Sequence, residues 1–252
     1  MDKHEQFNLE VQNSIKQIAL DTDLQALSRI WIREAAHYKW EYNFTWLGRP
    51  IIQFPGDVFA MQELIWKVKP DLIIETGIAH GGSLIFSASM LALLDYCDTN
   101  RQNIERKVLG IDIEIRSHNR VAIQSHPLAN RIEILEGSSV NPDIIKQVSE
   151  RASFAKRVMV FLDSNHSHNH VLLELEAYGK IVTPSSYCIV LDTGIEDMPP
   201  GSFPDRPWGK GDNPKTAVWE FLKNHPEFEI DKSIQHKLLI TAAPDGYLRK
   251  KY

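Results

Sequence analysis

Cysteine is scarce in this chain, positive charge is not in surplus, and no apolar run approaches the length of a membrane span. Two cysteines in 252 residues exclude a disulfide-built scaffold. Cys97 follows a helix pattern and Cys188 sits inside a strand pattern, so both read as reduced thiols in or near the core. A net charge of -5, from 28 basic and 33 acidic side chains, argues against nucleic acid or an anionic membrane held by bulk electrostatics. Spans need roughly 18 or more consecutive apolar residues, and residues 1–6 are polar without a signal pattern. The expectation is a soluble, cytoplasmic protein with no membrane or nucleic-acid partner. Internal repeats, low-complexity tracts, a haem-attachment motif and the Gly-x-Gly-x-x-Gly spacing of a nicotinamide fingerprint are also missing.

What is present is an α/β alternation. Strand-like runs at 72–75, 108–112, 132–136, 158–163, 187–192, 228–230 and 237–242 are separated by helix-length segments at 83–94, 117–124, 143–151, 168–179 and 214–224, after a first helix at 58–68. That order predicts an α/β fold: a Rossmann-like, seven-stranded, mostly parallel sheet covered on both faces, closed by a C-terminal antiparallel hairpin of the last two strands. Ahead of it, Leu9, Val11, Ile15, Ile18, Leu24, Leu27 and Ile30 recur at helical spacing, giving an N-terminal helical extension. Residues 38–55 are aromatic-rich and broken by Gly48, Pro50 and Pro55, which reads as an irregular strap, either packed on the core or lying over a ligand. The expected division is 1–57 for extension and strap and 58–252 for the catalytic domain. The amphipathic extension also makes a homo-oligomer the expected assembly. Residues 198–214, rich in Pro and Gly, form a long loop able to close over a site.

Ligands of such sheets bind beyond the carboxyl ends of the strands, and here those ends are acidic: Glu75, Asp112, Glu136, Asp163 and Asp192 each close an expected strand. Glu75 leads into the turn Thr76-Gly-Ile-Ala-His-Gly-Gly-Ser83. An acid there repels a pyrophosphate but accepts an ammonium, while free N–H groups of the turn and helix start take a carboxylate. An amino-acid moiety presents both charges, and S-adenosylmethionine carries one. Asp112 is placed to accept ribose hydroxyls, and Ser138 lies in a turn beside an adenine or a helix start. In Asp163-Ser-Asn-His-Ser-His-Asn-His170, the acid pairs with Asp192 on the neighbouring strand, so that both can converge on a small cation, Mg²⁺ by ligand hardness or Mn²⁺ given the histidines. His166 is the expected general base, with capping of the next helix as its alternative.

These stretches resemble the bacterial family of cephalosporin hydroxylase and rhamnosyl O-methyltransferase, from about residue 40 to residue 252. FTWLGRPIIQFPGD, KPDLIIETGIAHGGSLIFSASM, GIDIEIR, LDSNHSHNHVLLELEAY and PDGYLRK carry the likeness. The resemblance implies that Glu75, Thr76, Gly77, His80, Gly81 and Ser83 hold the methionine part of S-adenosylmethionine. It further implies ribose on Asp112, a divalent metal on Asp163 and Asp192, and a base placed like His166. Asn165 and Leu191 stand where the family commonly has acids, so Thr193, Asn165 or water would have to complete the metal shell. The function expected is metal-assisted O-methyl transfer to a hydroxyl of a sugar or small glycosylated metabolite. The alternatives are a catechol-type acceptor, or a cofactor-binding subunit without turnover of its own.

Overall fold

A computed structural model describes residues 2–98 and 105–252. Two helices open it, Lys3–Leu20 (α1) and Thr22–Ala36 (α2), capped by Asp2 and Asp21, whose carboxylates accept first-turn N–H groups. Among the described residues α1 buries none, and Phe7, Leu20 and Leu27 stay exposed. The strap is more regular than its composition suggested: a 3₁₀ turn at Trp40–Asn43 leads into a ribbon of Thr45–Trp46 (β1) and Arg49–Pro50 (β2). Leu47 and Gly48 at its tip both take positive φ, 44° and 86°, as a two-residue antiparallel turn demands.

The alternation follows. Pro55–Val68 (α3) precedes Leu72–Thr76 (β3), Gly82–Cys97 (α4), Lys107–Asp112 (β4), Ser117–Gln124 (α5), Ile132–Glu136 (β5) and Pro142–Ala152 (α6). Next come Val158–Leu162 (β6), His168–Tyr178 (α7), Tyr187–Val190 (β7), Pro214–Asn224 (α8), Phe228–Ile230 (β8), Lys232–Leu238 (α9) and Tyr247–Lys250 (β9). One seven-stranded sheet runs β5, β4, β3, β6, β7, β9, β8; its first five strands are parallel, and β9 is antiparallel to both neighbours.

The central strands feed both faces. Ile73, Met159, Phe161 and Ile189 pack with Ile65 and Leu91 of α3 and α4 on one side. Ile74, Val160, Leu162 and Val190 pack with Leu175 and Phe221 of α7 and α8 on the other. Successive side chains of a strand point to opposite faces, so a strand covered on both sides is apolar where it is packed, which is why β6, β7 and β3 up to Ile74 are continuous apolar runs. Burying a side chain of this kind stabilises by roughly 1.5–3 kcal/mol relative to exposure.

The last strand is not where the sequence put it. Residues 237–242, expected as a strand, form the end of α9 and the loop after it, and the antiparallel partner of β8 is Tyr247–Lys250. Ile234 and Leu238 pack into the α3 side of the core, which uses the apolar run as a helix face. Asp57 of α3, fully buried, then holds the following loop, accepting from the Thr241 hydroxyl, Ala242 N (2.8 Å) and the Tyr247 hydroxyl (2.6 Å). The hairpin therefore exists with a helix-bearing connection in place of a short polar turn.

Candidate active site

Strand order reverses between β3 and β6, because the chain leaves β3 toward β4 and β5 and returns to the other flank of β3 with β6. A crevice opens at such a switch point. Gly77 sits at it with φ of 90°, and a Cβ there would lie 1.9 Å from the carbonyl oxygen of Asp163, so only glycine allows the two strand tips to approach. The turn is pinned by backbone bonds, Gly77 N to Ile111 O at 2.8 Å and Asp163 N to Thr76 O at 2.9 Å.

Glu75 is 2% exposed. One carboxylate oxygen accepts from the Ser83 hydroxyl and the other, Oε2, has no partner. Burial pushes its pKa up to about 8, against the opposing pull of the Ser83 bond. Asp112 accepts Ile78 N (2.8 Å) and Ala79 N (3.4 Å) with one oxygen and Glu114 N (3.2 Å) with the other, so it shapes the turn it faces. His80 contributes its carbonyl, which accepts from Arg49 Nε at 3.0 Å and Nη2 at 2.7 Å. Arg49 also donates to Asn119 Oδ1 at 3.0 Å, and Asn119 Nδ2 donates to Ala79 O at 2.9 Å. A cavity of about 160 Å³ lies over this turn, walled by Gly77, His80, Ser83, Asp112, Asp163 and Gln53 among others.

Asp163, one wall of that cavity, also joins His166 and Asp192 in offering ligand atoms that all lie within 4.8 Å of one another. They come from the ends of β6 and β7, which are paired strands. Burial, then Asp192, then Glu75 and Glu174 raise the Asp163 pKa well above the carboxylate range, opposed by the amide of Gln53, which donates to Oδ2 at 3.1 Å. Asp192 takes a left-handed φ of 55°, and its Oδ2 is 3.2 Å from His166 Nε2. The indole of Trp208, on the loop before α8, meets the His166 ring edge to face at 5.0 Å. Burial and the negative charge of Asp192 raise the pKa of Glu41, and Asp163 and Asp192 both act on Tyr42, so the strap faces the same acids.

Other expected residues fall outside this cluster. Thr193 is fully buried and its hydroxyl donates to Pro244 O at 2.6 Å. Asn165 Oδ1 accepts Ser167 N at 2.9 Å, and Leu191 is 4% exposed in the core. Ser138 keeps its place in the turn after β5, but the neighbouring Ser139 is the buried one, with Oγ 3.0 Å from His170 Nε2. His170 also lies 3.2 Å from Ser164 Oγ, which donates to the buried Glu174 at 2.7 Å. His168 turns to Thr216 and Glu220 on α8, so the three alternating histidines face three different neighbours. Glu136 pairs with Arg120. Sequence reasoning missed Arg49, Gln53, Asn119, Glu174 and Trp208. The one local signal was a polar Gln53 between apolar neighbours in a strap otherwise suited to packing.

A doubly wound parallel sheet with one antiparallel strand inserted beside β8, and a glycine turn under an acid at the switch point, defines the class of the Rossmann-like methyltransferases. Comparison with known proteins narrows it. The family model for rhamnosyl O-methyltransferase/CmcI matches residues 38–251, and the chain belongs to that family. The rhamnosyl O-methyltransferase of Mycobacterium bovis (strain BCG / Pasteur 1173P2) is 27% identical over 223 residues, covering 84% of this chain and 82% of that protein. Its counterpart in Mycobacterium leprae (strain TN) is 28% identical over 225 residues, covering 85% and 89%. A solved structure described as "cmcI-D160 Mg-SAM" shares the fold with a TM-score of 0.54 at 16% identity, covering 84% of this chain and 78% of that one. The protein is therefore an S-adenosylmethionine-dependent O-methyltransferase. Among the described residues no helix is long and apolar enough to cross a membrane.

Proposed function

We propose that the acceptor is a hydroxyl of a sugar or of a small glycosylated metabolite, and that a divalent cation assists the transfer. The observation that carries this reading is the double role of Asp163, which walls the cavity over the glycine turn and also belongs to the Asp163, His166, Asp192 cluster. Donor and acceptor sides of the reaction thus meet across one side chain, as in-line transfer requires. In this reading Glu75 accepts the cofactor's ammonium. Thr76, Gly77, His80, Gly81 and Ser83 surround its amino-acid end, Asp112 takes the ribose, and Ser138 lies beside the adenine.

The donor set of two carboxylates fits Mg²⁺ or Mn²⁺. Asp163 and Asp192 would hold the ion, whose contribution is to lower the pKa of an acceptor hydroxyl. Thr193, fully buried with its hydroxyl turned to Pro244 O, is not assigned as a ligand in this proposal. As the acceptor O–H bond gives way to O–CH₃ and the sulfonium becomes a neutral thioether, one proton must leave. His166 Nε2, facing Asp192, is placed to serve either that proton or the cation. Residues 1–57 are taken as an extension whose strap completes the site through Arg49 and Gln53, and 58–252 as the catalytic domain. The exposed Leu20, Leu27 and Ile30 make self-association through α1 and α2 part of the same proposal.

Release of S-adenosylhomocysteine, measured with rhamnosides and other deoxysugar glycosides against catechols, with and without Mg²⁺, tests the reading. Turnover confined to catechols, or equal rates in EDTA, would reject the sugar acceptor or the metal respectively.

A further inference from the structure

We infer that His166 is the third protein ligand of the cation held by Asp163 and Asp192, and that the site consequently prefers Mn²⁺ or Co²⁺ to Mg²⁺. This deepens the metal-assisted reading above and rests on it.

Two carboxylates leave most positions around a divalent ion to water or to further protein ligands, and the protein candidates can be counted off. Leu191 is apolar and in the core. Thr193 is fully buried with its hydroxyl turned to Pro244 O, and Asn165 is exposed with its Oδ1 turned to Ser167 N. Gln53 approaches Asp163 with its amide nitrogen, a donor that cannot bind a cation. His166 remains: its ring nitrogen and the two carboxylates lie within 4.8 Å of one another, with Nε2 only 3.2 Å from Asp192 Oδ2. The imidazole is 18% exposed and braced by the edge-to-face indole of Trp208, so it is held where a ligand must stand.

An independent observation concerns charge. Among the described residues neither Asp163 nor Asp192 is bridged to a lysine or arginine. Glu75 Oε2 and Glu174 Oε2 are buried without hydrogen-bond partners. Two carboxylates brought within 4.8 Å of each other without a lysine or arginine partner repel one another, and a bound ion removes that repulsion.

An imidazole in the shell changes which ion is favoured. Mg²⁺ prefers oxygen ligands and keeps its water, whereas nitrogen donors raise affinity for transition metals in the order Mn²⁺, then Co²⁺. The same assignment removes Nε2 from the proton path, because its single lone pair cannot ligate and accept a proton at once.

The test reads metal binding, without turnover. EDTA-stripped protein is titrated with Mg²⁺, Mn²⁺ and Co²⁺ by calorimetry, and the visible absorption of Co²⁺ reports its ligands. Melting temperature in EDTA and S-adenosylhomocysteine binding serve as controls. Expected are Co²⁺ and Mn²⁺ affinities at least roughly tenfold above Mg²⁺, a loss of roughly tenfold or more for Co²⁺ in His166→Ala with Mg²⁺ far less affected, and a return of preference toward Mg²⁺ in His166→Glu. Co²⁺ affinity and spectrum unchanged in His166→Ala would overturn the inference, as would a wild-type protein that binds no divalent ion at millimolar concentration. Failure to bind S-adenosylhomocysteine would instead count against the cofactor assignment, and the metal titrations would still be read on their own.

Discussion

Glu75→Gln is the most revealing single change available, because in the proposed site the cofactor's ammonium would alter the charge of that carboxyl. In the free protein Glu75 is buried, with a pKa pushed up to about 8 and one oxygen unpartnered. Near pH 6 it is therefore protonated in all but about one molecule in a hundred. An ammonium group brought against it favours the carboxylate, so binding S-adenosylhomocysteine should release close to one proton. Affinity should then rise about tenfold per pH unit, or ~1.4 kcal/mol each, between pH 5.5 and 7.5. Calorimetry in two buffers of different ionisation enthalpy counts that proton directly. Glu75→Gln should lose about one proton of release and flatten the slope by one unit, while binding at pH 7.5 weakens by ~1.5–3 kcal/mol, the worth of a charge-assisted bond. The sign for stability runs the same way: with a folded pKa above the ordinary 4.5, the free protein holds a proton that the unfolded chain loses, so its stability falls as pH rises from 4.5 toward 8 and then levels. Equal pH slopes for wild type and Glu75→Gln would refute both the protonated state and the ammonium contact.

Three further outcomes are expected. Asp57→Ala should destabilise the fold by about 3–5 kcal/mol in urea unfolding, since it strands Thr241, Ala242 N and Tyr247 in the core. Because burial raises the Asp57 pKa to about 6, its contribution to stability declines between pH 3.8 and 6, and Asp57→Asn should remove that part of the pH dependence. Arg49→Ala should cut S-adenosylhomocysteine affinity roughly tenfold with little change in melting temperature, by releasing the His80 carbonyl and loosening the turn, as calorimetry beside thermal unfolding would show. Asp163→Ala and Asp192→Ala should each lower the rate at least about a hundredfold while circular dichroism stays native, because both side chains stand at strand tips outside the packed faces. A rate within a few-fold of wild type in either would remove that acid from the site.

The sequence by itself determined the parts whose cause is local. Apolar runs such as Leu72-Ile-Ile and Val158-Met-Val-Phe-Leu had to be strands covered on both faces, helical spacing filled the gaps between them, and the glycine turn after Glu75 marked where the backbone could admit a ligand. It also marked the acids at the strand ends, because a side chain there lies beyond the packed layer whatever the order of strands. Which of those acids would meet was a tertiary decision. Asp163 and Asp192 converge because β6 and β7 are neighbours, while Glu136 on the outermost strand is left to pair with Arg120. The strap became part of the site only because it folds back across the chain, carrying Gln53 to Asp163 and Arg49 to His80, contacts between distant positions that no periodicity records. The final strand was misplaced for the same reason. Residues 237–242 are apolar enough for a strand, but a buried Asp57 on α3 and the core beneath α9 decided that they turn, leaving Tyr247–Lys250 to pair with β7 and β8. Local propensity is a fraction of a kcal/mol per residue, and several buried hydrogen bonds and packed side chains together outweigh it.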